Sequence, residues 1–244
     1  MRILFKNLKA LLKNLYISFY YVFRQRVKWK KLNSVYLNIT DPIISKPLFG
    51  NIIFGDYEFD ENKILKKTID KDDVLLELGT GLGYNSISAA KINNNKVVTY
   101  EGNPNLIPLI KQNMKKNSVK FRLENKIVLS KNFEDADCEF NIFEDFWSSS
   151  LKSNIDGKIV RKVTVKSYDI NRVLREVQPS YLIVDIEGGE EDFFEDCSFL
   201  QNSSVRKILL ELHANIIGED KCSMVIENIL KSGFKIRLDN SPKN

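Results

Sequence analysis

Hydrophobic positions along the chain follow two periods, and each period predicts a different kind of element. Short apolar runs at 74–76, Val97–Tyr100 and Tyr181–Val184 are typical of strands buried on both faces. Between such runs, apolar residues recur three and four positions apart, as in amphipathic helices. The clearest helical series consists of Leu106, Ile107, Leu109, Ile110 and Met114. Alternating strands and helices predict an α/β fold, in which a mostly parallel twisted sheet carries helices on both faces.

The remaining elements are assigned from the same two periods and from turn residues. Gly55-Asp56 lies between two short apolar runs, which predicts a β-hairpin with strands at 51–54 and 57–59. Asn103 and Pro104 predict the start of a helix that ends near Asn117. Further helices are predicted at 60–69, 84–91, 168–177 and 226–230, and further strands at 121–129, 138–146, 160–165, 207–212 and 234–238. The polar stretch at 148–157 is predicted to be a linker.

Residues 1–23 are predicted to form an amphipathic helix. A spanning helix needs about 20 apolar residues, but the longest uncharged run, 14–23, has only ten. Neither a transmembrane helix nor a secretory signal is therefore predicted, since lysines also interrupt the apolar region. One stripe of the helix is basic, with Arg2, Lys6, Lys9 and Lys13, and the opposite stripe contains Leu4, Leu8, Leu11, Leu12, Leu15 and Phe19.

Charge separates this N-terminal segment from the rest of the chain. Residues 1–40 contain nine lysines and arginines and no acidic residue, whereas residues 41–244 contain 28 basic and 32 acidic residues, a net charge of −4. We therefore divide the chain into a basic segment, 1–40, and a main domain, 41–244. The segment either packs on protein, including a second copy of the chain, or lies on an anionic membrane surface through residues 1–31. The acidic domain gives no reason to expect a nucleic-acid partner.

Cysteine and histidine usage narrows the chemistry further. Cys138, Cys197 and Cys222 are odd in number and far apart, so no disulfide framework is implied, and a cytoplasmic location is expected. His213 is the only histidine, which excludes a metal site built from several histidines.

A glycine turn follows the first core strand and predicts a nucleotide site. The strand ends at Glu77, after which Gly79, Gly81 and Gly83 alternate before a helix. A dinucleotide-binding turn requires a third glycine at position 84, where this chain has Tyr84. The G-x-G-x-G spacing favours S-adenosylmethionine, whose methionine carboxylate is expected to lie against the turn amides and whose cationic end is expected to face Glu77.

The second core strand supports the same ligand. It ends at Glu101, which is expected to accept hydrogen bonds from both ribose hydroxyls. The cofactor-binding residues predicted at these two strand ends are Glu77, Gly79, Thr80, Gly81, Gly83, Tyr84, Asn85, Glu101, Gly102 and Asn103.

A second acidic turn follows the strand Tyr181–Val184. Its sequence, D-I-E-G-G-E, places Asp185, Glu187 and Glu190 at the carboxyl end of a central strand, where reacting groups collect in open α/β sheets. The next strand ends at His213. Asp185 and Glu187 are the first candidates for a general base and His213 is the next, because each is able to accept a proton. Asp185 and Glu187 are also suited to bind a divalent cation through oxygen atoms, although no metal site is predicted.

Several motifs in order resemble those of a known family. They are G-D-Y-E at 55–58, E-L-G-T-G-L-G-Y-N at 77–85, Y-E-G-N-P at 100–104, S-Y-D at 167–169, V-D-I-E-G-G-E at 184–190 and L-L-E-L-H at 209–213. The chain thereby resembles the FkbM-type methyltransferases over about 55–238. Glu77, Gly102 and Ile183 depart from the aspartate, proline and lysine that are usual in the family.

The resemblance implies a Rossmann-like class I fold and O-methylation of a sugar or natural-product hydroxyl. We therefore expect a methyltransferase that uses S-adenosylmethionine on a sugar, glycan or lipid-linked saccharide. The alternative is a catalytically silent module of the same fold that acts through its N-terminal helix.

Overall fold

The computed structural model describes residues 2–130, 136–143 and 159–237. Its strands are β1 (Trp29–Leu32), β2 (Val35–Asn38), β3 (Leu75–Leu78), β4 (Val97–Tyr100), β5 (Arg122–Glu124), β6 (Ile127–Leu129), β7 (Asp137–Phe143), β8 (Ile159–Asp169), β9 (Tyr181–Val184) and β10 (Lys207–Leu210). Its α-helices are α1 (Arg2–Phe23), α2 (Lys46–Phe54), α3 (Phe59–Thr68), α4 (Tyr84–Ala90), α5 (Ile107–Lys116), α6 (Ile170–Val177), α7 (Glu190–Phe193), α8 (Ser198–Gln201), α9 (Ala214–Ile217) and α10 (Glu219–Lys231).

The central sheet contains five parallel strands in the order β10-β9-β3-β4-β5. Leu75 of β3 is in register with Val97 of β4 on one side and with Tyr181 of β9 on the other. The chain adds strands outward from β3 in one direction and then, after β5, returns to the other side of β3. In sheets of this Rossmann-like order, ligands bind beyond the carboxyl ends of the strands where the direction reverses. The carboxyl ends of β3, β4 and β9 are therefore the place to look for a site.

Alternate residues of each strand pack on opposite faces of the sheet. Leu76 and Leu182 face one core, which contains side chains of α6, α8 and α10. Leu75 and Ile183 face the other, which contains side chains of α3 and α4. The predicted parallel sheet with helices on both faces is confirmed, because the unbroken apolar runs supply side chains to both cores.

A second layer of N-terminal elements extends the α4 side. The antiparallel hairpin β1–β2 packs with α2, α4 and α5 around a core that includes Leu37, Phe49, Ile87 and Ile110. On the other side of the domain, β6, β8 and β7 form a separate three-stranded sheet. The helix predicted at 1–23 is confirmed as α1, and no helix among the described residues is long and apolar enough to cross a membrane.

Several sequence-based assignments differ from the structure. The hairpin predicted at 51–59 is the end of α2 and the start of α3, because Ser45 caps α2 and Gly55 ends it at φ +82°. The strand predicted at 121–129 is two strands in different sheets, β5 and β6. The helix predicted from Asn103 begins at Ile107, and the helix predicted from 168 begins at Ile170, since β8 continues to Asp169.

At the chain's C-terminal end, 234–237 do not form the predicted strand, and its last residue lies outside the described residues. The predicted linker at 148–157 and the end of the strand predicted at 138–146 also lie outside them.

Candidate active site

The glycine turn after β3 is already hydrogen-bonded within the chain. The backbone N–H groups of Thr80 and Gly81 donate to Oε2 of Glu101 over 3.2 and 3.1 Å, and the N–H of Leu82 donates to the Tyr57 hydroxyl over 3.2 Å. Gly79, Gly81 and the residue that follows the turn, Gly83, all have positive φ values. Protein oxygens therefore accept from these amides, and contact of a ligand carboxylate with them stays a prediction.

Glu77 is buried beneath the turn and accepts from three hydroxyls. Its Oε2 receives Thr80 Oγ1 over 2.5 Å, Thr99 Oγ1 over 3.3 Å and the Ser86 hydroxyl. Burial raises the pKa of Glu77, and these hydroxyl donors lower it in part. The carboxylate is thus held in one orientation at the carboxyl end of β3.

Glu101 occupies the equivalent position after β4. Besides the two turn amides, it accepts from the Asn103 N–H over 2.7 Å. Burial raises the pKa of Glu101 to about 7, against the lowering effect of its three backbone donors. Nδ2 of Asn103 is buried and has no hydrogen-bond partner. A ligand that accepts at this amide and donates to Glu101 would satisfy both groups.

Three other residues predicted to bind the cofactor pack mainly against the rest of the protein. The Tyr84 ring is buried in the core beside α5, and its hydroxyl accepts from Asn33 over 3.0 Å. A Cβ at Gly102 would lie 2.7 Å from the ring of Phe140, and a Cβ at Gly83 would lie 3.1 Å from a side-chain carbon of α5, so both glycines serve packing.

Asn85 connects the turn to α3. Its Nδ2 donates to Glu58 over 2.8 Å, and its Oδ1 accepts from Asn62 over 2.9 Å. Glu58 has φ +45°, an uncommon value for a residue other than glycine. Burial raises the pKa of both Glu58 and Tyr57, which face the turn from the opposite wall.

The acidic turn after β9 touches the glycine turn directly. A Cβ at Gly79 would lie 1.6 Å from the carbonyl oxygen of Asp185, so only glycine permits this approach. The N–H of Asp185 in turn donates to Leu78 O over 3.0 Å. The two turns are therefore joined by main-chain contact, which brings Asp185 next to the predicted cofactor site.

His213 lies at the centre of a group of carboxylates. Its Nδ1 is 3.0 Å from Glu190 Oε1, and its Nε2 is 3.3 Å from Glu187 Oε2 and 3.6 Å from Asp185 Oδ1. Glu190 is fully buried and also accepts from the N–H groups of Ile186 and Gly188. The three predicted catalytic residues, Asp185, Glu187 and His213, thus lie together.

Burial and charge interactions within this group shift the pKa values of its members and so determine which of them carry protons at neutral pH. Burial lowers the pKa of His213, but the Glu190 hydrogen bond and nearby acids raise it to about 9, so the ring is an imidazolium at neutral pH. Burial raises the pKa of Glu187 to about 7, while His213 lowers it. Burial and the neighbouring Glu211 hold the pKa of Asp185 well above its usual range. Glu187 therefore has a pKa close to neutral pH.

A cleft joins the two halves of the site, and carboxylates dominate its lining. Glu61 and Glu211 line it without having been predicted. Glu211 follows β10 as Asp185 follows β9, so the strand-end rule that identified Asp185 would also have found it. Glu61 lies one helical turn after Glu58, a spacing that has no meaning until α3 is placed. The full lining is Glu58, Glu61, Glu77, Gly79, Asn85, Ile183, Val184, Asp185, Leu209 and Glu211.

Two of these side chains, together with His213, are also arranged to hold a cation. Asp185, Glu211 and His213 offer ligand atoms that all lie within 4.8 Å of one another. The cation alternative considered from the sequence used Asp185 with Glu187, whereas the geometry replaces Glu187 by Glu211 and His213. Before a metal could bind at His213, the imidazolium would have to lose a proton, and the surrounding carboxylates oppose this loss because they raise the pKa of His213.

Comparison with known proteins covers most of the domain. The family described as "Methyltransferase FkbM domain" matches residues 79–236. No curated protein sequence matches the chain. Among solved structures, the precorrin-6y C5,15-methyltransferase from Geobacter metallireducens is similar, with 14% sequence identity and a TM-score of 0.43 over 72% of this chain and 71% of that one.

Proposed function

The chain belongs to the FkbM methyltransferase family, and on that premise we propose that it transfers a methyl group from S-adenosylmethionine to a hydroxyl oxygen of a sugar, glycan or lipid-linked saccharide. The family match establishes a methyltransferase. The methyl donor, the oxygen acceptor and the saccharide class are the parts that we propose.

The charge of the cleft is the observation that carries the choice of donor. Five carboxylates line it, and no lysine or arginine is among the described residues that do so. A pyrophosphate would be repelled here, because no cationic side chain among these described lining residues offsets its negative charge. A ligand with a cationic amino group and a cationic sulfonium is favoured instead, because each positive charge offsets the cost of a buried carboxylate.

The residues present fit such a ligand. Glu77 is ready to receive a cationic group, and Glu101 with the orphaned Nδ2 of Asn103 offers an acceptor and a donor to a pair of hydroxyls. When bound, S-adenosylmethionine supplies a methyl group activated by its sulfonium. The protein has to hold the acceptor oxygen in line with that methyl group and remove the hydroxyl proton.

Glu187 is the residue that we assign as the proton acceptor. Its pKa of about 7 places it in the range in which a general base works at neutral pH. His213 is already protonated there and is assigned to hold Glu187 and Asp185 through Nε2. Glu187 also has φ +50°, and such backbone strain is common at functional positions.

The acceptor class has its support in the family resemblance of the motifs. A saccharide hydroxyl is uncharged, so it is able to enter a cleft of carboxylates without a counter-charge. Each hydroxyl also donates a hydrogen bond, which the acids of the cleft are able to accept.

Calorimetry with S-adenosylhomocysteine and with NADH tests the donor. We expect binding of the former in the micromolar range and no binding of the latter. Glu101→Ala should weaken S-adenosylhomocysteine binding by about 10- to 100-fold, since it removes a charged acceptor. Glu124→Ala is the matched control, because Glu124 ends the next strand but pairs with Arg122. The affinity of this variant for S-adenosylhomocysteine should stay within about twofold of the parent's.

Transfer of labelled methyl groups to a panel of free and lipid-linked saccharides tests the acceptor, with NMR of the product to identify a methyl ether. Absence of S-adenosylhomocysteine binding at millimolar concentration would refute the donor assignment. Binding accompanied by methylation of nitrogen or carbon alone would refute the acceptor assignment.

A further inference from the structure

Helix α1 attaches to the domain through one narrow stripe. Ile17 packs on Gly50 of α2, where a Cβ would approach the Ile17 side chain to 2.9 Å. One turn later, the Tyr21 ring packs edge-on against Phe49 and its hydroxyl donates to Ile44 O over 3.0 Å. The stripe that packs on the body of the protein therefore contains one aliphatic and one aromatic anchor.

The opposite side of the helix is apolar and open to solvent. Phe19 lies about half a turn around the helix from Ile17, and its side chain is 62% exposed, while Leu15 is 57% exposed. We call this surface the outer face; its exposed members are Leu11, Leu12, Leu15, Phe19, Val22 and Phe23. A contiguous apolar surface of this kind marks an interaction site.

The net charge of the N-terminal segment that carries the outer face indicates which partner it binds. Residues 1–40 contain nine basic residues and no acidic residue, and Arg26 and Lys28 are exposed just beyond the end of α1. A symmetric contact between two copies would bring two such positive segments together. An anionic lipid surface instead complements the charge and accepts the leucine and phenylalanine side chains. We propose that the outer face of α1 binds the surface of a membrane that contains anionic lipids.

The position of α1 connects this surface to the cleft. Lys13 forms an ion pair with Asp56 over 3.3 Å and lies 4.4 Å from the centre of the Phe54 ring. The next two residues after Asp56, Tyr57 and Glu58, form the wall opposite the glycine turn. Binding of α1 to a membrane would accordingly place this wall of the cleft in the part of the domain that adjoins the bound helix.

Vesicle flotation of the full chain tests the proposal independently of any methyltransferase activity. The lipid is phosphatidylcholine alone or mixed with phosphatidylglycerol, at low and at high NaCl concentration. We expect binding to the anionic mixture that weakens with salt. Leu15→Ser combined with Phe19→Ser should weaken this binding at least about tenfold, since both changes remove apolar surface from the bilayer. The matched control is Ile236→Ser on the domain, where an isoleucine is 59% exposed, and it should bind as the parent does.

Three outcomes would overturn the proposal. The first is failure of the parent protein to float with anionic vesicles. The second is unchanged binding of the double variant in a protein whose circular dichroism matches the parent. The third is a salt-stable dimer in sedimentation that the double variant converts to monomer, without vesicle binding by either, which would assign the outer face to a second copy.

Discussion

The two groups of carboxylates at the candidate active site differ in how their oxygens are satisfied. On the donor side, Glu77 and Glu101 accept from three hydroxyls and three backbone N–H groups. On the reaction side, Oδ1 of Asp185 and Oε2 of Glu190 are buried without a hydrogen-bond partner. Fixed hydrogen bonds hold a carboxylate in place, whereas incompletely satisfied acids share charge with one histidine and remain able to exchange protons. The contrast suggests that the first group positions a ligand and the second performs proton transfer.

The largest effect is expected from Glu187→Gln, which removes the assigned base while keeping the side chain's size. We expect the methyl-transfer rate at saturating substrates to fall about 10²- to 10³-fold, with S-adenosylhomocysteine affinity within about threefold, because general-base catalysis contributes on this scale. Single-turnover kinetics and calorimetry measure the two quantities. Glu195→Gln, on the exposed end of the same segment, is the control. A nearly intact rate in Glu187→Gln with loss in Asp185→Asn would move the base to Asp185.

The reaction side should also make stability depend on pH. The pKa of His213 is about 9 in the folded protein and about 6.5 as a reference, so the folded state binds the proton more tightly. This contributes about 3 kcal/mol to the free energy of unfolding below pH 6.5, and the contribution is lost as the pH rises to about 9. Urea titrations between these pH values should show the decrease, and His213→Gln should remove most of it. If the free energy of unfolding of the variant decreased with pH as steeply as that of the parent, the pH dependence would belong to other groups.

His213→Gln should also alter catalysis in a way that depends on pH. Loss of the imidazolium raises the pKa of Glu187 further, because His213 lowers it in the native protein. We expect the rate at pH 7 to fall about tenfold and to recover substantially at pH 9. A histidine that only supports the fold would instead give the same loss at every pH, so the pH–rate profile separates the two roles.

The smallest effect on stability is expected on the donor side. Glu77→Gln keeps an oxygen for the three hydroxyls but removes a charge that burial disfavours. The free energy of unfolding should therefore change by no more than about 1 kcal/mol, while S-adenosylhomocysteine binding weakens about tenfold. Thermal unfolding and calorimetry test this pair of results. A large loss of stability with intact binding would show that Glu77 serves the fold rather than the ligand.

Sequence reasoning succeeded where one local signal determines the outcome. The strands β3, β4 and β9 follow from unbroken apolar runs, and the acids at their ends follow from the geometry of parallel sheets. The failed hairpin at 51–59 also had a local signal, since Ser45 and Pro47 mark a helix start and Gly55 marks its end. The hairpin prediction interprets the apolar residues between them as strands, whereas they belong to a helix.

Other features depend on contacts between distant segments. The chain at 121–129 divides between two sheets because β6 pairs with β8, about forty residues later in the sequence. Positive φ at Glu58 and Glu187 has no signal in residue type, since glycine and asparagine are the usual residues there. The pairing of Tyr57 with the glycine turn likewise exists only after α2 and α3 have packed.

The contact between Gly79 and the carbonyl oxygen of Asp185 fixes the distance between the glycine turn and the acidic turn. No side chain separates the two turns there, so no change of rotamer can widen the space between the donor side and the reaction side. Side chains on either turn are free to vary in evolution without resetting that spacing, because main-chain atoms define it. A single methyl group added at position 79 would push the two turns apart and would change the distance between the donor side and the reaction side for every ligand.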